Sequence, residues 1–460
     1  MKTDTPHILC VNPWIHDFAA FDFWLTPLGL LSLAAILREN GMGVSYVDCL
    51  NRFHPRRKKP VKMAWDGRGP FLKTPVDWEN VMPEGVICPH DIPNAFCRYG
   101  IEPDWFREDL KKLEAQRGQP DLIFVTSLMT YWASGAAETI AILKEVFPRV
   151  PVVLGGKYAS LCPDHAKAHS GADIITQGPG ETALNEIFTS TLGAPLENIP
   201  HLNEMDAAPF PALDLIQEAN GTLPHVPLIT SRGCPFSCEY CASSVLEPRM
   251  RERSPDKIFE EICHWHQNYG VQNFALYDDA FLIHAEKRAF PLMEKLIAAG
   301  LNIHLHTPNA LHIREITPKA ADLMFRSGFK TIRMGLETTD FSKERHHDHK
   351  VKAGEFARAL DALKKAGFTH DQVGAYLLCG LPGQDPEEVA HSMEQVRKMD
   401  IIPTLAFYTP IPQTPVWPQA LASARFDIGQ HPVFTNNSLF PCVPRLEDRQ
   451  RISQLKKLRF

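Results

Sequence analysis

The 460-residue sequence has no apolar run long enough to cross a bilayer. The longest, LGLLSLAAIL (28–37), falls far short of the roughly 20 residues a spanning helix needs, and Arg38 follows it at once. The start, MKTDTPHILCVNP, lacks a charged segment followed by a long apolar stretch, so no signal peptide is expected. Positive charge is not in excess. The formal net charge of -6 argues against a nucleic-acid partner, because strong phosphate binders are usually basic. A disulfide framework is also missing. The eleven cysteines are an odd number, and eight of them (Cys10, Cys49, Cys88, Cys97, Cys162, Cys263, Cys379, Cys442) stand alone. A reducing cytoplasm is the expected setting, with each lone cysteine a small buried hydrophobe. There is no repeat and no low-complexity tract. What remains, 44% hydrophobic and 22% charged, is an ordinary globular chain long enough for two or three domains.

The first half alternates apolar runs with helical patterns. HILCVNP (7–13), VSYVDC (44–49), LIFVTS (122–127), PVVLGG (151–156) and ADIITQG (172–178) read as strands. Helical patterns cover 134–147, 163–170 and 181–191, and Thr26-Pro27 reads as the capped start of another helix. This alternation predicts a doubly wound parallel sheet with helices on both faces. Residues 51–118 break the rhythm. They are rich in Pro, Arg, Lys and Trp without a clear period, and such inserts are binding loops or disordered. Residues 193–224 read as an extended linker. The second half then offers six further strands, VPLIT (226–230), QNFALYD (272–278), NIHLHT (302–307), KTIRMGLE (330–337), QVGAYLL (372–378) and IPTLAFYT (402–409). Helices opening at Ser254-Pro255 and Pro318, and a Phe356/Leu360/Leu363 stripe, separate them. The expected fold class is therefore α/β: a Rossmann-like domain over 1–192, a linker, a partial (βα)6 TIM-type barrel over 225–415, and an extension over 416–460. Function in parallel barrels gathers at the carboxyl ends of strands.

The segment SRGCPFSCEYCASS (231–244) lies directly after the first barrel strand. Cys234, Cys238 and Cys241 are spaced C-x3-C-x2-C, and Gly233 and Pro235 argue for a loop rather than a helix. Soft thiolates select zinc, copper(I) or iron–sulfur clusters. Zinc would need a fourth ligand, for which Cys263, His264 and His266 are available. A cubane held by three cysteines would instead leave one iron open to a substrate or cofactor.

C-x3-C-x2-C with an aromatic residue before the last cysteine resembles the radical S-adenosylmethionine (SAM) enzymes, and the likeness runs over about 225–415. LYDDAFL (276–282), MGLETTD (334–340), LLCGLPGQ (377–384) and FYTPIPQTPVW (407–417) resemble that family's later strand-end segments. The resemblance implies a 4Fe–4S cluster on Cys234, Cys238 and Cys241, with SAM on the open iron and reductive cleavage to a 5′-deoxyadenosyl radical. It implies Tyr240 beside the adenine, Asp278 and Asp279 at the SAM amino group, and Glu337 at the ribose and methionine end. Gly380, Pro382 and Gly383 would pack against adenine. Each has a plain alternative: the Asp pair as a helix cap, the glycines as turn residues.

TPLGLLSLAAILRENGMGVSYVDC (26–49), PDLIFVTSLMTYWAS (120–134), VPVVLGGKYASLCPDHA (150–166) and ADIITQGPGETALNEIF (172–188) resemble the cobalamin-binding domain that precedes many radical SAM domains. Ser127, Thr130, Gly155, Gly156 and Gly178 lie at its strand ends, where such sheets bind ligands and where glycine lets a bulky group approach backbone. The D-x-H-x-x-G motif of cobalamin mutases is missing, as in many cobalamin-type radical SAM enzymes. Taken together the resemblances imply a radical SAM enzyme transferring a methyl group through cobalamin. A radical rearrangement, cyclisation or coupling enzyme and a non-catalytic iron–sulfur or zinc protein remain as alternatives. The expected partners are a small-molecule or peptide substrate and an electron donor such as flavodoxin or ferredoxin. KERHHDHK (343–350), with His346, His347 and His349, reads as a solvated loop, with a metal site or a substrate-facing loop as alternatives. Trp65, Arg68, Trp78, Arg98, Tyr99 and Trp105 are candidates for a substrate wall.

Overall fold

A computed structural model describes residues 5–92, 94–341, 348 and 350–458. The chain divides into two compact units, one of residues up to 223 plus 429–436, the other of 224–428 plus 437 onward.

The first unit is built on five parallel strands: β1 (His7–Asn12), β2 (Gly43–Asp48), β3 (Leu122–Val125), β4 (Val152–Leu154) and β5 (Ile174–Ile175), in the order β2-β1-β3-β4-β5. All six residues of β1 are buried, as a strand covered on both faces requires. Leu9, Val11, Ile123, Val125, Val152 and Leu154 pack with Ile140 and Leu143 of the helix Ala133–Val146 and with Phe147 at its C-cap. The strand order reverses between β1 and β3, the switch point at which doubly wound sheets bind ligands. The helix Leu28–Glu39 begins one residue later than its Thr-Pro signal suggests. Pro27 takes the cap position, and no side chain caps the helix.

The stretch 51–118 has more order than its composition implies. Cys97–Tyr99 pairs antiparallel with Ile15–Asp17 on one side and with Lys73–Pro75 on the other, in a small three-stranded sheet. Pro103–Arg117 forms a helix buried only through Phe106 and Leu110. With so narrow an apolar face on a charged helix, periodicity gives little signal, although Pro103 marks its start. Residues 193–223, read from sequence as linker, carry the helix Asp214–Asn220 and belong to the first unit.

The second unit holds β6 (Val226–Leu228), β7 (Asn273–Leu276), β8 (His304–His306), β9 (Phe329–Glu337), β10 (Val373–Cys379) and β11 (Ile402–Phe407), parallel and hydrogen-bonded in sequence order. This is the partial (βα)6 barrel expected from the strand–helix alternation. Ser254 caps Pro255–Tyr269 through Lys257 N at 3.2 Å, and Thr317 caps Pro318–Arg326 through Ala320 N at 3.1 Å. Phe356, Leu360 and Leu363 form the buried stripe of Glu355–Ala366. Among the described residues no helix is long and apolar enough to cross a membrane.

Candidate active site

The three-cysteine segment leaves the end of β6 and is held at both ends. Ser231–Arg232 pairs antiparallel with Arg251–Glu252, so residues 233–250 form a closed loop. Gly233 turns it at φ +82, where a Cβ would meet the Arg249 and Glu247 carbonyl oxygens at 2.9 and 3.0 Å. Only glycine fits there. Cys238 is buried, and Cys234 and Cys241 are half-buried. Burial raises the Cys234 thiol, which the Phe236 N–H and Asp279 then adjust, and pushes Cys238 up to about 11. Ser243 N and Oγ lie 3.4 and 3.2 Å from Cys241 Sγ. The FYTPIPQTPVW segment reaches the loop through Val416 N, which donates to Glu239 O at 3.3 Å.

Behind the loop, Asp278 is almost fully buried and both its carboxylate oxygens are occupied. Thr230 N donates to it at 3.0 Å, Thr230 Oγ1 at 2.5 Å and Ser231 Oγ at 2.7 Å. The sequence reading treats Asp278 and Asp279 alike, and the structure separates them. Asp278 points back to fasten the strand end that launches the cysteine loop. Asp279 is half-buried beside Cys234, whose thiol it raises electrostatically. Asn309 fixes the pair by donating to the Tyr277 and Asp278 carbonyls at 2.8 and 3.3 Å.

Glu337 closes β9 at φ +64, in the left-handed region, after a register shift between Gly335 and Glu337. A bulge of this kind re-aims a side chain, and a non-glycine residue held there costs of order 1–3 kcal/mol. The carboxylate meets Lys350 Nζ at 3.3 Å, with both side chains largely buried. Lys350 also lies 5.4 Å over the Tyr240 ring. Burial alone would lower the Lys350 ammonium, but Glu337, Cys238 and Asp348 outweigh it and raise it. Tyr240 Oη is buried and has no hydrogen-bond partner among the described residues. Gly380 and Gly383 have φ +94 and +73, and Gln384 closes the half-buried Pro382 turn. Its Oε1 accepts from Gly380 N at 2.7 Å, and its Nε2 donates to Leu378 O at 2.9 Å. Both glycines therefore have a turn role that needs no ligand.

Two residues at this site have no place in the sequence reading. His312 Nε2 lies 3.5 Å from Cys234 Sγ, and burial followed by Lys350 and Arg314 drives its imidazole down to about 4. Lys350 belongs to the KERHHDHK cluster, whose three histidines drew the metal reading. His346, His347 and His349 lie outside the described residues. The zinc alternative finds no support in contacts: His266 Nδ1 is 2.8 Å from Val271 O, and His264 Nδ1 is 3.1 Å from Asn268. Among the described residues no group of three or more His, Cys, Asp or Glu side chains is placed to hold a metal ion.

In the first unit the predicted residues lie at the carboxyl ends of β3, β4 and β5. Ser127 Oγ donates to Gly155 O at 2.7 Å, and Lys157 N to Ser127 O at 2.8 Å. At Gly156, φ +94, a Cβ would meet Ser127 O at 2.3 Å; at Gly155 it would meet Thr176 Oγ1 at 2.8 Å. Gly156 thus serves close packing between two strand-end loops. Gly178, φ +71, faces open space. Thr130 is buried at the start of a short 3-10 turn. An apolar cleft lined by Asn12, Ile15, Leu50, Ser127, Leu128 and Trp132 marks the switch point beside them. Of the substrate-wall candidates, Trp78 and Tyr99 are buried, and Arg98 is paired to Glu138. These three support the fold. Arg68 lies over Trp24, Trp105 stacks on His54, and Trp65 is exposed.

The Radical SAM superfamily matches residues 228–396, and the B12 binding domain matches residues 100–188. This chain belongs to the radical SAM enzymes that carry a B12-binding domain. Those two domains imply a 4Fe–4S cluster, SAM and cobalamin as its cofactors. An uncharacterized methyltransferase of Pyrococcus horikoshii is 27% identical over 351 residues, 70% of this chain and 74% of the relative. An anaerobic magnesium-protoporphyrin IX monomethyl ester cyclase of Cereibacter sphaeroides is 25% identical over 334 residues, 65% of this chain and 53% of that one. Among solved structures, the radical SAM methyltransferase TsrM of Kitasatospora setae, with cobalamin and a [4Fe-4S] cluster bound, shares the fold. Its TM-score is 0.64 at 15% identity, over 91% of this chain and 78% of that one.

By the chemistry of their donors, though the three thiols are not gathered to metal-binding distances, the residues present fit these groups. Three soft donors on one glycine-turned loop suit an iron–sulfur cluster, and the unpartnered Tyr240 hydroxyl awaits a polar neighbour. The switch point beside Ser127 and Gly155 is where doubly wound sheets bind such groups, although the cleft there is narrow.

Proposed function

We propose that this protein transfers a methyl group to an unactivated carbon or phosphorus centre of a small-molecule or peptide substrate. When bound, the cluster and SAM supply a 5′-deoxyadenosyl radical on one-electron reduction, and cobalamin supplies the carrier for the methyl group. What carries the reading is one chain with two strand-end sites: a three-thiol loop on a six-stranded partial barrel, and a cleft at the switch point of a β2-β1-β3-β4-β5 sheet.

Cys234, Cys238 and Cys241 hold the cluster. Asp278 is a positioning residue that sets the loop's exit from β6, and Asp279, beside Cys234, faces the SAM amino group. Glu337, aimed by its bulge, takes the ribose and methionine end, and Lys350 fixes its carboxylate. Tyr240 flanks the adenine, with the Gly380-Leu381-Pro382-Gly383 turn offering backbone to it. In the other unit, Ser127, Thr130, Gly155, Gly156 and Gly178 shape the cobalamin side, Gly156 by packing and Gly178 by leaving room. The setting is a reducing cytoplasm, and the electron comes from a flavodoxin- or ferredoxin-type donor.

The test is product mass. With SAM labelled at the methyl group, the substrate gains one labelled methyl. 5′-Deoxyadenosine formed with no methylated product would contradict the proposal and favour the second reading, a radical cyclisation. The cyclase similarity is the observation behind that alternative.

A further inference from the structure

We propose that His312 donates a hydrogen bond from Nε2–H to the Cys234 thiolate and so raises the reduction potential of the cluster. This makes His312 a positioning residue for electron entry. The inference rests on the reading of the three cysteines as cluster ligands.

The contact is 3.5 Å from Nε2 to Cys234 Sγ, and His312 is 6% exposed. A thiolate bound to iron carries no proton, so the imidazole is the only member of the pair able to donate. In a water-poor site a hydrogen bond onto an anionic sulfur is strengthened by the low local dielectric.

The ring is held from two sides. The chain before it is pinned to β9: Leu311 N donates to Arg333 O at 2.7 Å, and Gly335 N donates to Leu311 O at 3.1 Å. Phe236, two residues after Cys234, packs on the imidazole with ring centroids 4.5 Å apart. Arg314 lies 5.4 Å over that phenyl ring, and its Nε donates to Lys350 O at 2.9 Å. The imidazole is therefore locked to the cysteine loop by a built stack rather than resting against it.

Outer-shell donors orient metal ligands, and hydrogen bonds to cluster sulfurs help set the potential. Reduction adds one electron, and with it negative charge on the sulfurs, so a donor to sulfur favours the reduced state. The electron comes from the external one-electron donor, and no proton moves in this step.

The experiment uses the full chain, reconstituted anaerobically, with iron per chain and the midpoint potential read by EPR-monitored titration. His312→Phe keeps a ring against Phe236 and removes the donor. At a fixed potential its ratio of reduced to oxidised cluster falls about ten-fold, equivalent to about 59 mV for one electron. His312→Gln, with an amide N–H, restores most of it. Unchanged potential in a fully loaded His312→Phe protein overturns the inference and leaves the cluster reading standing. Failure of the unsubstituted chain to bind iron removes the cluster reading itself, and this inference with it. Should His312→Phe not load iron, pulsed EPR of 15N-histidine-labelled unsubstituted protein decides: a nitrogen coupling supports the bond, and its absence overturns it.

Discussion

Asp278 accepts three hydrogen bonds from Thr230 and Ser231, at 3.0, 2.5 and 2.7 Å, in a buried setting at the end of β6. The residue that fastens the strand is thus 44 positions from the first cysteine in sequence yet adjacent to its loop's root. Replacing it with alanine strands a buried Thr230 N–H, at about 1–3 kcal/mol. Asp278→Ala is expected to lower the unfolding midpoint and to reduce iron bound per chain together. Asp279→Ala should lower the unfolding midpoint less than Asp278→Ala does, while weakening SAM binding. Thermal denaturation and iron analysis of both variants check the distinction, and equal losses in the two would contradict it.

Glu337 sits at φ +64. Glycine occupies that region without strain, and alanine does not. Glu337→Gly is therefore expected to be more stable than Glu337→Ala by about 1 kcal/mol. Both variants lose the partner of Lys350 and should bind SAM more weakly. Denaturant unfolding of the pair measures the difference, and an alanine variant as stable as the glycine one would contradict it.

In the first unit, His165 and His431 face each other with ring centroids 4.6 Å apart. Burial, followed by the neighbouring histidines, lowers His165 to about 4 and His431 to about 3. An unfolded imidazole titrates near 6.5, so between about 6.5 and 3 the unfolded chain binds more protons. Their contribution is complete above 6.5 and is lost as the pH falls through that window. The unfolding midpoint is expected to drop between pH 7.5 and 5. His431 Nδ1 accepts from Val433 N at 3.0 Å, a role an asparagine oxygen can fill. His431→Asn should flatten the pH dependence, and a slope identical to that of the unsubstituted protein would contradict the assignment.

Gly156 and Gly178 make a matched pair at the strand ends. A Cβ at Gly156 would fall 2.3 Å from Ser127 O, whereas at Gly178 it meets nothing within 4 Å. Gly156→Ala is expected to cost well over 1 kcal/mol, since backbone must shift. Gly178→Ala should cost about 1 kcal/mol for its positive φ alone. If Gly178 leaves room for the corrin, its alanine variant binds cobalamin more weakly than its small stability loss explains. Cobalamin retention on desalting, set beside the unfolding midpoint, separates the two effects.

Much of this was readable in the residues. The strands announce themselves because parallel sheets are buried on both faces, so ILCV within His7–Asn12 and FAL within Asn273–Leu276 appear as unbroken apolar runs. Ser254-Pro255 reads correctly as a helix start because cap chemistry is local. What escaped has a shared cause: it depends on where a side chain is aimed. An Asp-Asp doublet does not say which carboxylate turns back to Thr230. Glu337 looks like any strand-end acid until the bulge after Gly335 is seen. His312 stands 78 positions from Cys234 and carries no motif. In KERHHDHK the histidines drew attention, while Lys350 is the residue found against Glu337 and Tyr240.

The central claim is that one chain holds both an iron–sulfur cluster and cobalamin. Its most direct test is the metal content of the anaerobically reconstituted protein after desalting, with cobalt and iron measured on the same sample. The account predicts about four irons per chain with cobalt equimolar to protein. Iron at that level with no retained cobalt would contradict the methyl-transfer reading and leave a radical SAM enzyme whose first domain has another use.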